Sequence, residues 1–219
     1  FIAAGLPVTP HVVITEDTWL SDPERTLEKV KALGSLPLFV KPARAGSSIG
    51  VSKVKDMADF AKALEVAFAE DSKVTVEKGL VGREIECAVL SQLGGGEPRV
   101  SLAGEIVIRS GEFYDFEAKY LDGATDIELP APITATAAEA IRSSAIAAFK
   151  ALGCSGLARV DFFLTNSGQV IINELNTMPG FTSTSVFPKM WAASGVSYTE
   201  VISHLLQSAI ARTNGPLGN

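Results

Sequence analysis

Cysteine and histidine are nearly absent from this chain, with two of each in 219 residues. Cys87, Cys154, His11 and His204 are scattered along the sequence, so a zinc site of the Cys/His kind is excluded. Two cysteines make no disulfide framework either. Cys87 sits inside an apolar alternating run and Cys154 just ahead of another, and both read as small buried hydrophobes in a reducing compartment. No apolar run reaches about 18 residues, so no membrane-spanning helix is expected. A basic excess is also lacking. The net charge of −6 and pI near 5.0 exclude the basic stripe of a nucleic-acid-binding protein, although isolated basic residues can still hold a phosphate. The opening FIAAGLPVTP has no charged stretch ahead of an apolar one, so it is no secretory leader. It has no Met and is expected to be the last turn of a helix that begins upstream.

What is present is enough apolar sequence, 47% of residues, for one large or two modest cores. Two halves are expected. In the first, residues 36–42 (LPLFVKP) and 73–78 (KVTVEK) read as strands. A helix over 56–69 between them carries Met57, Phe60, Ala61, Leu64 and Phe68 on one stripe. A second helix over 22–33 is expected to start at Ser21, with Pro23 in its first turn. The second half is richer in strands. Residues 83–92, 99–103 and 105–109 alternate and are broken by glycines, as in an antiparallel meander. A helix over 136–152 closes at Gly153. Residues 156–164 and 169–176 form a hairpin about the turn 165–168, and helices over 186–193 and 198–211 follow. The fold class is α+β, divided into residues 1–76 and 77–212 with a disordered tail at 213–219.

The hairpin carries the strongest chemical signal. Side chains alternate along a strand, so Arg159 and Asp161 face one way while Ala158, Val160 and Phe162 face the other. Glu174 and Asn176 share a face of the partner strand. One guanidinium, two carboxylates and an amide can thus meet on one surface. Hard oxygen donors of this kind, with room for phosphate oxygens, suit Mg²⁺. A solvated sheet face with an Arg–carboxylate pair is the plainer alternative, and spacing does not decide between them.

A second signal is the loop over 41–50, KPARAGSSIG, whose small residues let backbone N–H groups approach phosphate oxygens, with Lys41 as a point charge. An ordinary hairpin connection has the same composition. The order of a Walker A loop is absent. Within the loop, Gly46-Ser47-Ser48-Ile49-Gly50 fits G-x-S-x-G, and Ser48, Asp161 and His204 follow the order of a hydrolase triad. A nucleophile elbow turns from strand into helix, however, and here VSKV follows, a strand. The third signal is FYDFEAKY over 113–120, a polar loop from which Lys119 and Tyr120 can reach a ligand.

Five blocks in register give the chain its resemblance to the D-alanine–D-alanine ligase family. They are VKPARAGSSIGVSKV (40–54), VEKGLVGREIECAVL (76–90), FYDFEAKYLDGAT (113–125), GLARVDFFL (156–164) and NELNTMPGFTSTSVFP (173–188). The resemblance implies an ATP-grasp fold with nucleotide held between a small and a larger domain. It places Lys41 and Lys119 on ATP phosphates and Ser47 and Ser48 in the loop that covers them. Glu77, Lys78 and Leu80 are similar to the hinge that holds adenine, and Glu84 to the ribose ligand. Asp161, Glu174 and Asn176 match the ligands of two Mg²⁺ ions, for which Mn²⁺ can substitute. Arg159 and the backbone of Gly180 match the groups beside the reacting carbonyl, and Ser185 matches the residue taking the second D-alanine's carboxylate.

The implied activity is ATP-dependent joining of two D-alanines through an acyl phosphate, for cell-wall peptidoglycan. The implied setting is the cytoplasm, with a homodimer for the full-length protein and no nucleic-acid or membrane partner. Tyr120, paired with Ser47 across the closed loop, favours a D-amino acid over D-lactate as second substrate. Asn176-Thr177-Met178 lacks the Arg found there in biotin carboxylase-like relatives. The family's N-terminal groups do not occur in this sequence, so weak ligase activity is expected of the chain alone. A nucleotide-binding fragment without catalysis and a D-lactate-type ligase are the alternatives.

Overall fold

The computed structural model describes residues 1–108 and 125–211, and the chain divides into two compact units. The first covers Thr9–Val81. Its strands are β1 (His11–Thr15), β2 (Leu38–Pro42), β3 (Ser52–Val54) and β4 (Lys73–Lys78), and its helices α1 (Glu16–Ser21), α2 (Pro23–Lys31) and α3 (Phe60–Phe68). The strands form one antiparallel sheet in the order β1-β4-β2-β3. Alternation sends Ile14, Leu38, Val40, Val54, Val74 and Val76 into a core with Val30 of α2 and Phe60 and Leu64 of α3. The other face is left to Val13, Phe39, Lys41, Thr75 and Glu77.

Local chemistry explains where this unit departs from expectation. Asp22, not Ser21, caps α2: its carboxylate accepts from the Arg25 N–H at 3.0 Å, and Pro23 occupies the first turn. Ser21 instead ends α1, a short helix begun by a capping box between Thr15 and Thr18. Neither β1 nor α1 was expected. α3 begins at Phe60 after a 3-10 turn, so the stripe runs through Phe60, Ala63, Leu64 and Ala67, leaving Ala61 exposed.

The second unit takes Phe1–Val8, Gly82–Val107 and the chain from Ile127 onward. The expected boundary at 76/77 falls inside β4. Residues 1–8 join this unit because the Ile172 N–H donates to the Pro7 carbonyl at 2.9 Å and Val8 bridges Ile172. Its strands are β5 (Gly82–Leu90), β6 (Arg99–Val100), β7 (Gly104–Ile108), β8 (Thr125–Glu128), β9 (Leu157–Thr165) and β10 (Val170–Asn176). They form a six-stranded sheet in the order β10-β9-β5-β7-β8, with β6 on β5.

Helix α4 (Ala135–Ala151), closed by Gly153 at φ 62°, covers one face. Ile85, Cys87, Val89, Ala158, Val160 and Phe162 of the sheet pack on Ile141, Ala145 and Phe149 of α4. Helices α5 (Val186–Ala193) and α6 (Tyr198–Ile210) cover one end of the other face, where Phe187, Met190, Trp191 and Val201 meet Ala88 and Leu90. Among the described residues no helix is long and apolar enough to cross a membrane. The expected tail at 213–219 lies outside the described residues.

Candidate active site

Strand alternation puts Glu84, Glu86, Ala88, Arg159 and Asp161 on the sheet face away from α4. Register then sets the pairs: Asp161 stands opposite Glu86 on β5 and opposite Glu174 on β10, while Arg159 stands opposite Asn176. A bulge makes this possible. Ile172 pairs with Phe162 and points to the core, so plain alternation would send Glu174 inward as well. The register shift between Ile172 and Glu174 turns Glu174 and Asn176 onto the face of Asp161.

The result is one guanidinium among three carboxylates. Arg159 donates from Nε to Asp161 Oδ1 at 2.8 Å and from Nη2 to Asp161 Oδ2 at 2.7 Å. Its Nε also lies 3.3 Å from Glu86 Oε2, and its Nη2 3.8 Å from Glu174 Oε1. Glu86 and Asp161 are buried, whereas the Glu174 side chain is half exposed at the rim. Burial alone disfavours a charged guanidinium, but the carboxylates of Asp161, Glu86 and Glu174 outweigh it and hold Arg159 above its ordinary pKa. Among the described residues, carboxylates outnumber cations on this surface, which thus presents hard oxygen donors.

Asn176 ends β10 with its Oδ1 accepting from the Met178 N–H at 2.9 Å, which fixes the amide oxygen and leaves it a second lone pair. The turn that follows is braced from both sides. Ser185 Oγ accepts from the Thr182 N–H at 3.0 Å, and the Tyr198 hydroxyl donates to the Phe181 carbonyl at 2.8 Å. A side chain on Gly180 would place its Cβ 3.0 Å from Ser185 Oγ, so glycine lets the two approach.

In the other unit, Lys41 and Glu77 come together on the open face of the four-stranded sheet, Nζ to Oε2 at 2.7 Å. The loop after β2 folds into two successive turns, with Ile49 N–H donating to the Gly46 carbonyl and Val51 N–H to that of Ser48. Ser47 and Ser48 both take positive φ, 56° and 59°, a conformation that costs an L-residue about 1–2 kcal/mol. A bidentate pair from Arg44 to the buried Asp71 anchors the loop's start. Lys78 ends β4, and Gly79 N–H donates to the Pro37 carbonyl at 2.8 Å. A Cβ on Gly79 would stand 2.7 Å from that same oxygen. Leu80 is half-buried in the link to β5.

Of the residues expected at a site, Arg159, Asp161, Glu174 and Asn176 share one surface, with Gly180 and Ser185 in the turn beyond. Glu84 is half-buried on the same sheet face, opposite Ile106. Lys119 and Tyr120 lie outside the described residues. Glu86 was missed, although REIECAVL already places it two residues from Glu84 and so on its face. The hydrolase triad does not form: His204 Nε2 lies 2.6 Å from the Ser91 carbonyl, and both Asp161 oxygens accept from Arg159.

An antiparallel sheet with an arginine among carboxylates, and a small α+β unit with a lysine and a glycine-serine turn, make this an ATP-grasp fold. The chain belongs to the D-ala D-ala ligase C-terminus family, whose profile matches residues 1–207. It is 50% identical over 218 residues to the D-alanine–D-alanine ligase of Arthrobacter sp., covering 98% of this chain and 57% of that protein. The one from Pseudarthrobacter chlorophenolicus is 51% identical with the same coverage.

Among solved structures, the VanG D-Ala:D-Ser ligase from Enterococcus faecalis matches with a TM-score of 0.81 and 39% identity, over 94% of this chain and 57% of that one. The D-alanine–D-alanine ligase from Coxiella burnetii matches at 0.78 and 36%, over 96% and 55%. The chain thus spans a little over half the length of these relatives.

Proposed function

We propose that this chain is the nucleotide- and metal-binding part of a D-alanine–D-alanine ligase, joining two D-alanines at the expense of ATP for peptidoglycan. The observation that carries this reading is Arg159 set among Asp161, Glu86 and Glu174 on one sheet face. The donor set fits Mg²⁺: two carboxylates and an amide oxygen, all hard. Among the described residues no group of three or more His, Cys, Asp or Glu is arranged to hold a metal. Asp161, Glu174 and Asn176 therefore need phosphate oxygens to complete a coordination shell, as expected where metal and nucleotide arrive together. When bound, Mg²⁺ neutralises charge on the phosphates during transfer.

The chain's own residues do the rest. Lys41 offers a point charge to phosphate from the open sheet face, with Ser47 and Ser48 covering it. Glu77, Lys78 and Leu80 hold adenine and Glu84 the ribose. A carboxylate of D-alanine attacks the γ-phosphorus, ADP leaves, and the amine of a second D-alanine displaces phosphate from the acyl phosphate. Arg159 and the Gly180 N–H face the oxygen on which negative charge develops. The Ser185 hydroxyl, which accepts from the Thr182 N–H and lies 2.8 Å from the Thr182 hydroxyl, takes the second substrate's carboxylate. The site of action is the cytoplasm and the full-length protein a homodimer.

A second reading is supported by length. The chain spans about 57% of its relatives, which agrees with a nucleotide-binding module that does not turn over alone. Assaying phosphate release with D-alanine and ATP, for the chain and for the full-length protein, separates the two. Release by the full-length protein alone keeps the ligase proposal and assigns the chain the binding role. Release by neither overturns the ligase. D-serine and D-lactate in place of the second D-alanine test its selectivity.

A further inference from the structure

Glu86 is the one carboxylate of the cluster to which the ligase reading gives no task. It sits on β5 in the middle of the six-stranded sheet, 5% exposed, opposite Asp161. A carboxylate kept so far from water is costly unless a charge answers it. Among the described residues, Arg159 offers such a charge, its Nε 3.3 Å away. Arg159 also makes a bidentate pair with Asp161, so two buried acids share this arginine.

This redundancy has a use if Asp161 must do two things. We propose that Glu86 is a positioning residue that keeps the Arg159 guanidinium in place when Asp161 and Glu174 turn their oxygens to a cation. The proposal rests on the reading of those two residues as Mg²⁺ ligands. Without a cation, Asp161 holds Arg159 at two nitrogens and Glu86 is a reserve. With Asp161 and Glu174 shared with a cation, both hydrogen bonds from Arg159 weaken, and the guanidinium, all donors and no acceptor, is drawn to whatever acceptor remains. Glu86 is that acceptor. It comes from the strand on the far side of β9 from Glu174, and its side chain is 6% exposed against 51% for Glu174.

The consequence is an effect of position 86 confined to the loaded protein, which a merely structural role would not produce. The test uses the full-length protein and its Glu86→Gln variant, which keeps the shape and removes the charge. Thermal melting and the arginine Nε–Hε NMR resonance of Arg159 are followed with and without Mg·ADP.

Without nucleotide, both proteins are expected to melt alike and to show a protected Arg159 Hε. With Mg·ADP the wild type keeps that protection, while in Glu86→Gln exchange of Hε quickens by about tenfold or more. Turnover falls by roughly ten- to a hundredfold, the scale of a misplaced catalytic group, with the KM for ATP changed less than about threefold. Equal protection in the loaded proteins overturns the proposal. So does a variant that melts well below wild type without nucleotide, since Glu86 would then serve the fold. Absence of Mg-dependent nucleotide binding in the wild type itself would instead overturn the metal reading beneath it, and is seen before any variant is made.

Discussion

Lys41 Nζ stands 2.7 Å from Oε2 of Glu77, across two neighbouring strands of the four-stranded sheet. The family resemblance gives these residues separate tasks, one on phosphate and one at adenine, yet on the open face they are ion partners. Both side chains are only about a fifth exposed, so the pair lies between an exposed one, worth about 1 kcal/mol or less, and a buried one, whose breaking costs more. Its value lies in pointing the lysine.

Lys41→Ala is accordingly expected to leave the unfolding midpoint within a few degrees of wild type. Nucleotide affinity should drop by about tenfold or more, equivalent to roughly 1.4 kcal/mol. Calorimetric titration with Mg·ADP, beside a thermal melt, measures both. A large loss of stability with unchanged affinity would make Lys41 a structural residue.

Asp71 anchors the loop that bears Ser47 and Ser48. Hydrogen bonds from the Arg44 side chain hold its carboxyl well below the ordinary carboxylate range, against the opposing effect of burial. A depressed folded-state pKa contributes stability above the unfolded value, 3.8, and loses it as pH falls below that value. Asp71→Asn should therefore weaken the fold at neutral pH and make stability less sensitive to acid below about pH 4. Urea midpoints across that range test it. Parallel acid limbs in variant and wild type would contradict it.

The two thiols should differ. Burial, with the nearby charges of Asp161 and Glu86, raises the Cys87 thiol far above its ordinary pKa, while Cys154 is raised by its partial burial alone. A thiol reagent at about pH 8 is expected to modify Cys154 slowly and to reach Cys87 only after denaturant is added. Rapid reaction of both in the native protein would mean that the sheet opens around Cys87.

Much of this fold was legible because its signals are local. Period-two alternation over GLARVDFFL and REIECAVL marked both faces of the sheet, and Gly153 marked the end of its helix. What was missed depended on context. Strand β1 and helix α1 follow one another without a break in HVVITEDTWLS, where capping by Thr15 and Asp22 sets boundaries that hydrophobic period does not. The stripe of α3 holds at Met57, Phe60, Leu64 and Phe68, and only Ala61 is exposed, with Ala63 and Ala67 buried in its stead. Alternation puts Arg159 and Asp161 on one face of the sheet, as the structure has them, but Glu174 joins that face through a bulge that no alternation rule announces. Glu86 was passed over because an acid in a strand looks like a solvated one until the sheet around it is built.

The ligase reading depends most directly on the rim carboxylate, Glu174, which reaches Arg159 only at 3.8 Å and is half exposed. A thermal melt of each protein beside the titration separates binding from stability. The measurement is titration of Mg·ADP into the wild-type protein and into Glu174→Gln, each with and without Mg²⁺. Binding that needs Mg²⁺ in the wild type and weakens by about tenfold or more in the variant is the predicted result. Equal affinity in the two proteins, or binding indifferent to Mg²⁺, would contradict the assignment of this face as the metal site.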